Sequence, residues 1–190
     1  DIEPGNTAGT CCGVAFDIGT TTIVGTLVNL LTGADLAVAS QINPQTSFGD
    51  DVVSRIKRCR EEPDGLAKLQ EAVLLAVNGI VAKVLREAGV DRRFVYEAVF
   101  AGNTTMQEIL AGINPMALGE LPFAPAFREP LRFRAAELGV KINPHGHIHV
   151  FPQIGGFVGG DTVAGIIATR LDRRKEPSLL VDVGTNGEIV

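Results

Sequence analysis

The sequence contains no tryptophan, one tyrosine and three cysteines among its 190 residues. So few aromatic side chains argue against a surface that stacks the bases of single-stranded nucleic acid. Cys11 and Cys12 are adjacent and Cys59 is distant, so the C-x-x-C spacing of a zinc or iron–sulfur site is absent. We therefore interpret the cysteines as reduced thiols of a cytoplasmic protein.

The sequence also lacks an excess of basic residues. Its formal net charge is −5, with acids and bases interspersed. This pattern excludes a basic surface of the kind that binds nucleic acid or an anionic membrane. No signal peptide is apparent, and no uninterrupted apolar run reaches the length needed to span a bilayer. Because the first residue is Asp1 and Val190 falls inside a predicted strand, we expect the chain to be a piece of a longer protein.

What the sequence does have is an early D-x-G-T motif between two short β-branched runs. These runs predict a hairpin whose turn is rich in backbone N–H groups and hydroxyls, from Gly19, Thr20, Thr21 and Thr22. Glycine at this point lets an anion approach the backbone. A carboxylate beside a phosphate site is repulsive unless a cation lies between them, so Asp17 implies Mg²⁺, held through water.

The same motif returns near the end of the chain. There it comprises Asp182, Gly184, Thr185 and Asn186, and a further strand begins at Glu188. Two distant copies indicate two similar subdomains that face each other. A plain Asp–Gly hairpin remains the alternative for either copy taken alone.

The apolar periodicity between the two copies predicts an α/β fold. Three meandering strands precede alternating helices and strands, which is the pattern of a ribonuclease H-like mixed sheet with helices on both faces. We assign residues 1–12 to a linker, 13–177 to a first subdomain and 178–190 to the first strands of a truncated second one. A Pro- and Phe-rich stretch at about 114–145 is interpreted as an ordered insertion.

With its two D-x-G-T turns in this arrangement, the chain resembles the superfamily of actin, heat-shock chaperone ATPases and sugar kinases. The resemblance implies that ATP lies in the cleft between the subdomains. It also implies that residues 17–22 form the first phosphate motif, and that Asp182, Gly184, Thr185 and Asn186 form the second. Asp17 and Asp182 would then orient the waters of one Mg²⁺.

Rarer sequence motifs indicate a resemblance to one family within this superfamily. The similarity extends from about residue 12 to the end of the chain. Residues 43–45 (NPQ), 48–56 (FGDDVVSRI), 101–106 (AGNTTM) and 121–125 (LPFAP) resemble the ATPase domain of reductive activators of corrinoid proteins. Asp50 departs from the family pattern, whereas Asp51 fits it.

That family implies ATP-dependent reduction of a corrinoid protein from cobalt(II) to cobalt(I). The electron would arrive from a donor through a [2Fe–2S] cluster in an upstream domain that this chain does not contain. The partners implied are the corrinoid protein and the electron donor.

Asp161 is the third acid that we assign to catalysis. It follows Gly159–Gly160 at the start of a predicted helix, where it could orient an attacking water; a simple helix N-cap is the alternative. Gly102 and Asn103 also open a helix and could bind an anion or, again, only cap it.

Other residues have structural alternatives as well. For Asn43, Gln45 and Asp51, a structural loop beside the cleft is favoured over contact with ligand. His147 and His149 would share one side of a strand, but no acid or cysteine close in sequence completes a metal site.

Two other functions stay open. One is a small-molecule kinase with Asp161 as base, and the other is a non-catalytic interaction module whose conformation is set by a bound nucleotide. We further expect this piece alone to bind ATP weakly, because the adenosine-binding subdomain is mostly absent. An unpaired strand near Val190 could also support a homodimer.

Overall fold

The structure is a computed structural model that describes residues 5–184 and 187–190. In these ranges the strands are β1 (Cys12–Ile18), β2 (Thr22–Asn29), β3 (Asp35–Ile42), β4 (Val95–Gly102), β5 (Leu131–Arg134), β6 (His147–Val150), β7 (Val181–Val183) and β8 (Gly187–Ile189). The α-helices are α1 (Val52–Glu61), α2 (Gly65–Ala88), α3 (Thr104–Leu110), α4 (Ala135–Leu138) and α5 (Gly160–Thr169).

Six of these strands form one mixed sheet in the order β3-β2-β1-β4-β6-β5. β1, β2 and β3 form the predicted antiparallel meander, whereas β4 pairs in parallel with β1 and with β6. The carboxyl ends of β1, β4 and β6 therefore lie at one edge of the sheet, where loops from parallel strands commonly build a ligand site.

Alternation from Val14 to Ile18 of β1 fixes which of these side chains enter the core. Phe16 and Ile18 are buried, whereas Asp17 between them is exposed on the other face. Phe16 stacks on Phe100 of β4, with ring centroids 4.8 Å apart, and α2 packs across β2 and β3. The register that buries this apolar row thus also sends the Asp17 carboxylate out of the core.

The helix α2 corrects one expectation about membranes. It is 24 residues long with a mean hydropathy of 1.4 over its most apolar window, so length and composition alone would let it cross a bilayer. From the sequence, α2 was not identified as long and apolar enough to span a bilayer, because scattered charged residues interrupt its apolar sequence. In the fold its apolar side, from Leu69 to Leu85, is buried against the sheet, as in the core helix of a globular domain.

The Pro- and Phe-rich stretch contains regular structure that the sequence pattern did not predict. β5 pairs antiparallel with β6 and becomes an edge strand of the main sheet, and α4 follows it directly. Ala126, earlier in the stretch, donates its N–H to the buried Glu108 carboxylate on α3, at 2.7 Å. The stretch therefore contributes residues 131–134 to the main sheet, and its interpretation as an ordered insertion stays a prediction.

Asp182 of the second D-x-G-T motif lies on a separate two-stranded sheet. β7 pairs with β8, and Leu180 and Val190 extend the pair through two backbone hydrogen bonds of 2.8 and 2.9 Å. The proposed division of the chain into linker, first subdomain and truncated second subdomain stays a prediction.

Candidate active site

The three predicted catalytic acids meet in one cleft. Asp17 comes from the end of β1, Asp161 from the first turn of α5 and Asp182 from β7, and all three line a cavity of about 140 Å³. The cleft thus lies between the main sheet and the small β7–β8 hairpin. Its lining residues are Asp17, Gly19, Thr20, Asn103, Asp161, Asp182, Gly184 and Glu188.

The turn of the first hairpin is held from behind by side chains. Asn43 Nδ2 donates to the Gly19 carbonyl at 2.8 Å, and an Arg55 terminal nitrogen donates to the Thr20 carbonyl at 2.7 Å. A methyl group at Gly19 would collide with the Thr22 carbonyl, so the tight turn requires glycine. The NPQ phrase and α1 therefore shape this turn, which favours the structural interpretation of Asn43.

Gln45 and Asp51 also serve the loop behind the turn. Gln45 is fully buried and donates to the Leu69 carbonyl at 2.9 Å. Asp51 caps α1: its Oδ1 accepts from Ser54 N at 2.7 Å, and that bond is the main cause that lowers the pKa of Asp51. Neither residue lines the cleft.

Asn103 caps its helix, which is one of the two roles that the sequence left open; its role in anion binding stays a prediction. Its Oδ1 accepts from Met106 N at 3.0 Å and so caps α3, while its Nδ2 donates to Thr20 Oγ1 at 3.0 Å. It also lines the cleft. The cap fixes the side chain, and the amide then links α3 to the first turn.

Asp161 is not the N-cap that was offered as its alternative role. Gly159 occupies the cap position, and Asp161 is the second residue of α5, where its Oδ1 accepts from Thr162 N at 2.7 Å. Gln107 fixes this helix start, because its Oε1 accepts from Gly160 N at 3.0 Å. One carboxylate oxygen of Asp161 is thus fixed by the helix, in a position that lines the cleft.

Gly159 allows α5 to begin directly against the start of α3. A methyl group there would lie 2.5 Å from the Gly102 carbonyl oxygen and 2.6 Å from Thr104 N.

We expect Gly159→Ala to destabilise the fold by about 1–3 kcal/mol, because two backbone segments must separate. Thermal unfolding measures this, with Gly155→Ala as the matched control, since a methyl group at Gly155 meets no atom within 4 Å. Equal melting temperatures for the two variants would contradict the close approach.

Burial and neighbouring carboxylates raise the pKa values of Asp17 and Asp161. Although Asp17 is exposed by surface area, desolvation by the surrounding walls of the cleft is the largest cause of its raised pKa, and the charges of Asp161 and Asp182 add to it. The pKa of Asp161 is likewise raised, first by burial and then by Asp182, against the lowering effect of the Thr162 hydrogen bond. Four carboxylate residues line the cleft, so an anion placed there would be repelled unless a cation lay between them.

Glu188 is a fourth acid that the sequence interpretation did not assign to the site. Burial raises its pKa, and Asp161 and Asp182 raise it further. It is the cross-strand partner of Asp182 in the β7–β8 hairpin. The sequence could have indicated Glu188, because pairing the strands on either side of the second D-x-G-T turn places residues 182 and 188 opposite each other.

Some predicted nucleotide-binding residues do not line the cleft. Thr21 and Thr22 are exposed at the start of β2, and Gly102 ends β4 in close contact with Ile18. Thr185 and Asn186 lie outside the described residues. In the part of the chain that the structure describes, no group of three histidine, cysteine or acidic side chains is close enough to hold a metal directly, His147 and His149 included.

Comparison with known proteins identifies the family. The family model described as RACo middle region matches residues 12–174. The chain belongs to this family. Its relatives include the corrinoid activation enzyme RamQ from Eubacterium limosum, which is 39% identical over 177 residues, or 93% of this chain and 30% of the relative.

The chain also matches a solved structure, a reductive activator for corrinoid, iron-sulfur protein. The TM-score is 0.94 at 39% identity, over 97% of this chain and 30% of that one. The chain thus spans about 30% of the length of each relative. The predicted family and the mixed α/β fold class are both confirmed.

Proposed function

We propose that this chain is the nucleotide-binding part of an ATP-dependent reductive activator, which returns a corrinoid protein from cobalt(II) to cobalt(I). ATP binding and hydrolysis would drive an electron from an iron–sulfur domain outside this chain to the corrinoid. The relatives named as corrinoid activators support the target, which is the corrinoid protein. The observation that carries the proposal is the convergence of Asp17, Asp161 and Asp182 on one cleft beside a glycine–threonine turn.

The donor set of the cleft fits Mg²⁺, which prefers oxygen ligands and keeps several waters. Asp17 and Asp182 would hold the ion through water, consistent with the absence of a directly ligating cluster among the described residues. When bound, the ion neutralises charge on the phosphates and on the facing carboxylates.

The side chains and backbone of the cleft would position the phosphates and supply a proton acceptor. Gly19 and Thr20 present the first turn to the β- and γ-phosphates, with Asn103 fixing the Thr20 hydroxyl. Asp161, fixed by Thr162 N, orients the attacking water and accepts its proton. We place the protein in the cytoplasm, with the corrinoid protein and an electron donor as partners and without nucleic acid or membrane.

Cobalt(II) reduction by the full-length protein, with and without ATP, tests this function. We expect Asp17→Ala and Asp182→Ala each to lower the ATP-stimulated rate by about 10- to 100-fold, because each removes one orienter of the metal waters. Asp172→Ala, a surface acid next to Arg173, is the control and should leave the rate unchanged. ATP stimulation equal to wild type in both cleft variants would remove the site assignment.

A small-molecule kinase is the second candidate, and one cavity favours it. A space of about 510 Å³ adjoins the cleft, shares Asn103 and Glu188 with it, and could hold an acceptor near Asp161. Its walls are largely apolar, from Val52, Val53 and Phe157, which suits a substrate with few hydroxyls. A phosphorylated product in a metabolite screen with ATP would support this activity, and ATP-dependent cobalt reduction without one would exclude it.

A further inference from the structure

Arg55 of α1 is a fully buried guanidinium without a carboxylate partner. It is 0% exposed, and no ion pair within 4.0 Å involves it among the residues that the structure describes. Its neighbours on the same helix differ, since Arg58 pairs with Glu62 and Arg60 pairs with Glu120. Burying an unpaired charge is costly, so a packing role alone would be better served by an apolar side chain.

The guanidinium instead contacts four neutral groups around the first turn. It donates to the carbonyls of Thr20 (2.7 Å) and Gly49 (3.0 Å), to Gln45 Oε1 (3.2 Å) and toward Met106 Sδ (2.9 Å). Burial lowers the pKa of Arg55 to about 10, whereas the negative charges of Asp51 and Asp50, just before α1, act to raise it. The group therefore stays protonated at neutral pH.

The bond to Thr20 sets the direction of a peptide group. In a trans peptide the carbonyl and the following N–H point in opposite directions, so fixing the Thr20 carbonyl on Arg55 turns the next N–H away from it. Asn43 does the same to the Gly19 carbonyl from the same side. Two successive peptides of the turn are thereby oriented by donors that do not themselves line the cleft.

We propose that Arg55 is a positioning residue for nucleotide binding: acting through the Thr20 peptide, it orients the first turn and supplies a buried positive charge that favours phosphate. This rests on the proposed nucleotide site. The cleft itself carries four carboxylates and no cationic side chain among its lining residues. Arg55, directly behind the turn, offsets part of that repulsion in a region shielded from solvent, where charges act strongly.

Binding of Mg–AMP, Mg–ADP and Mg–ATP to the full-length protein, measured by calorimetry, tests the proposal. Arg55→Met and Arg55→Gln remove the charge; only the second keeps a polar N–H donor, on a side chain shorter than arginine. We expect both to raise the Kd of Mg–ATP by about tenfold or more, because charge-assisted interactions are lost, with a smaller effect on Mg–ADP and the least on Mg–AMP. Arg55→Lys keeps the charge and should recover most of the affinity.

Arg60→Gln is the matched control, because it removes the same charge from the same helix away from the turn, and it should leave all three affinities unchanged. Either neutral variant suffices if the other does not fold. An equal loss of affinity for all three nucleotides, not rescued by lysine, would overturn the charge role. Unchanged Mg–ATP binding in a folded neutral variant would overturn it too. Wild-type protein that binds no Mg–ATP would instead overturn the nucleotide site itself.

Discussion

Replacing Asp161 by asparagine is expected to lower the rate of ATP hydrolysis by about 10²- to 10⁴-fold, the usual contribution of a general base. Asparagine keeps the shape and can still accept from Thr162 N, but it cannot take a proton from water. Burial raises the pKa of Asp161, which makes its carboxylate a better base than an exposed aspartate. The measurement is steady-state phosphate release by the full-length protein.

The affinity for Mg–ATP distinguishes this role from a structural one. Asp161→Asn removes one of four repelling carboxylates from the cleft, so nucleotide binding should be unchanged or tighter while turnover falls. In wild type, activity should fall as the pH drops through the raised pKa of Asp161, since only the deprotonated form is a base. Asp172→Asn is the surface control. Turnover at the wild-type rate in Asp161→Asn would exclude the residue as the base.

Replacing Glu108 by glutamine is expected to stabilise the protein at pH 8 and to leave its stability at pH 4.5 nearly unchanged. Glu108 is 1% exposed on α3, and burial raises its pKa from 4.5 to about 7, with the Ala126 N–H opposing. At about 1.4 kcal/mol per pKa unit, this costs wild type up to about 3 kcal/mol above pH 7. Glutamine removes the charge and keeps an acceptor for Ala126.

The sign of the pH dependence follows from proton binding. The native state holds a proton on Glu108 up to about pH 7, whereas the unfolded state releases it near pH 4.5, so wild-type stability falls between these values as the pH rises. Hydrogen exchange of the α3 amides at pH 5 to 8, corrected for intrinsic rates, measures the effect. Glu87→Gln on the exposed side of α2 is the control. Parallel pH profiles for wild type and Glu108→Gln would refute this account.

Local sequence was sufficient for much of the fold. The β-branched runs around the first D-x-G-T motif predicted β1 and β2, and residues 66–88, which α2 covers, have the apolar periodicity typical of a helix. These features depend on contacts between near neighbours in the chain. The shared cleft of Asp17 and Asp182 was expected only through the repeat and the family resemblance, not through periodicity.

Long-range contacts set the rest, and the sequence pattern does not encode them visibly. Arg55 sits in a helix rich in charge, and nothing local shows that it reaches the Thr20 carbonyl 35 residues earlier. Gln107 similarly holds Gly160, 53 residues later. β5 was missed because its apolar–polar alternation extends over only four residues, directly after Pro130, which is too short to indicate a strand.

The placement of the acids on two different sheets has a mechanical consequence. Asp17 and Asp161 belong to the larger body, whereas Asp182 and Glu188 sit on the β7–β8 ribbon, and like charges across the gap push the two apart. Neutralising these charges would remove the repulsion and let the ribbon approach the larger body, and restoring them would oppose that approach. The spacing between the two sheets would then depend on the charge held in the cleft, and so on its occupancy.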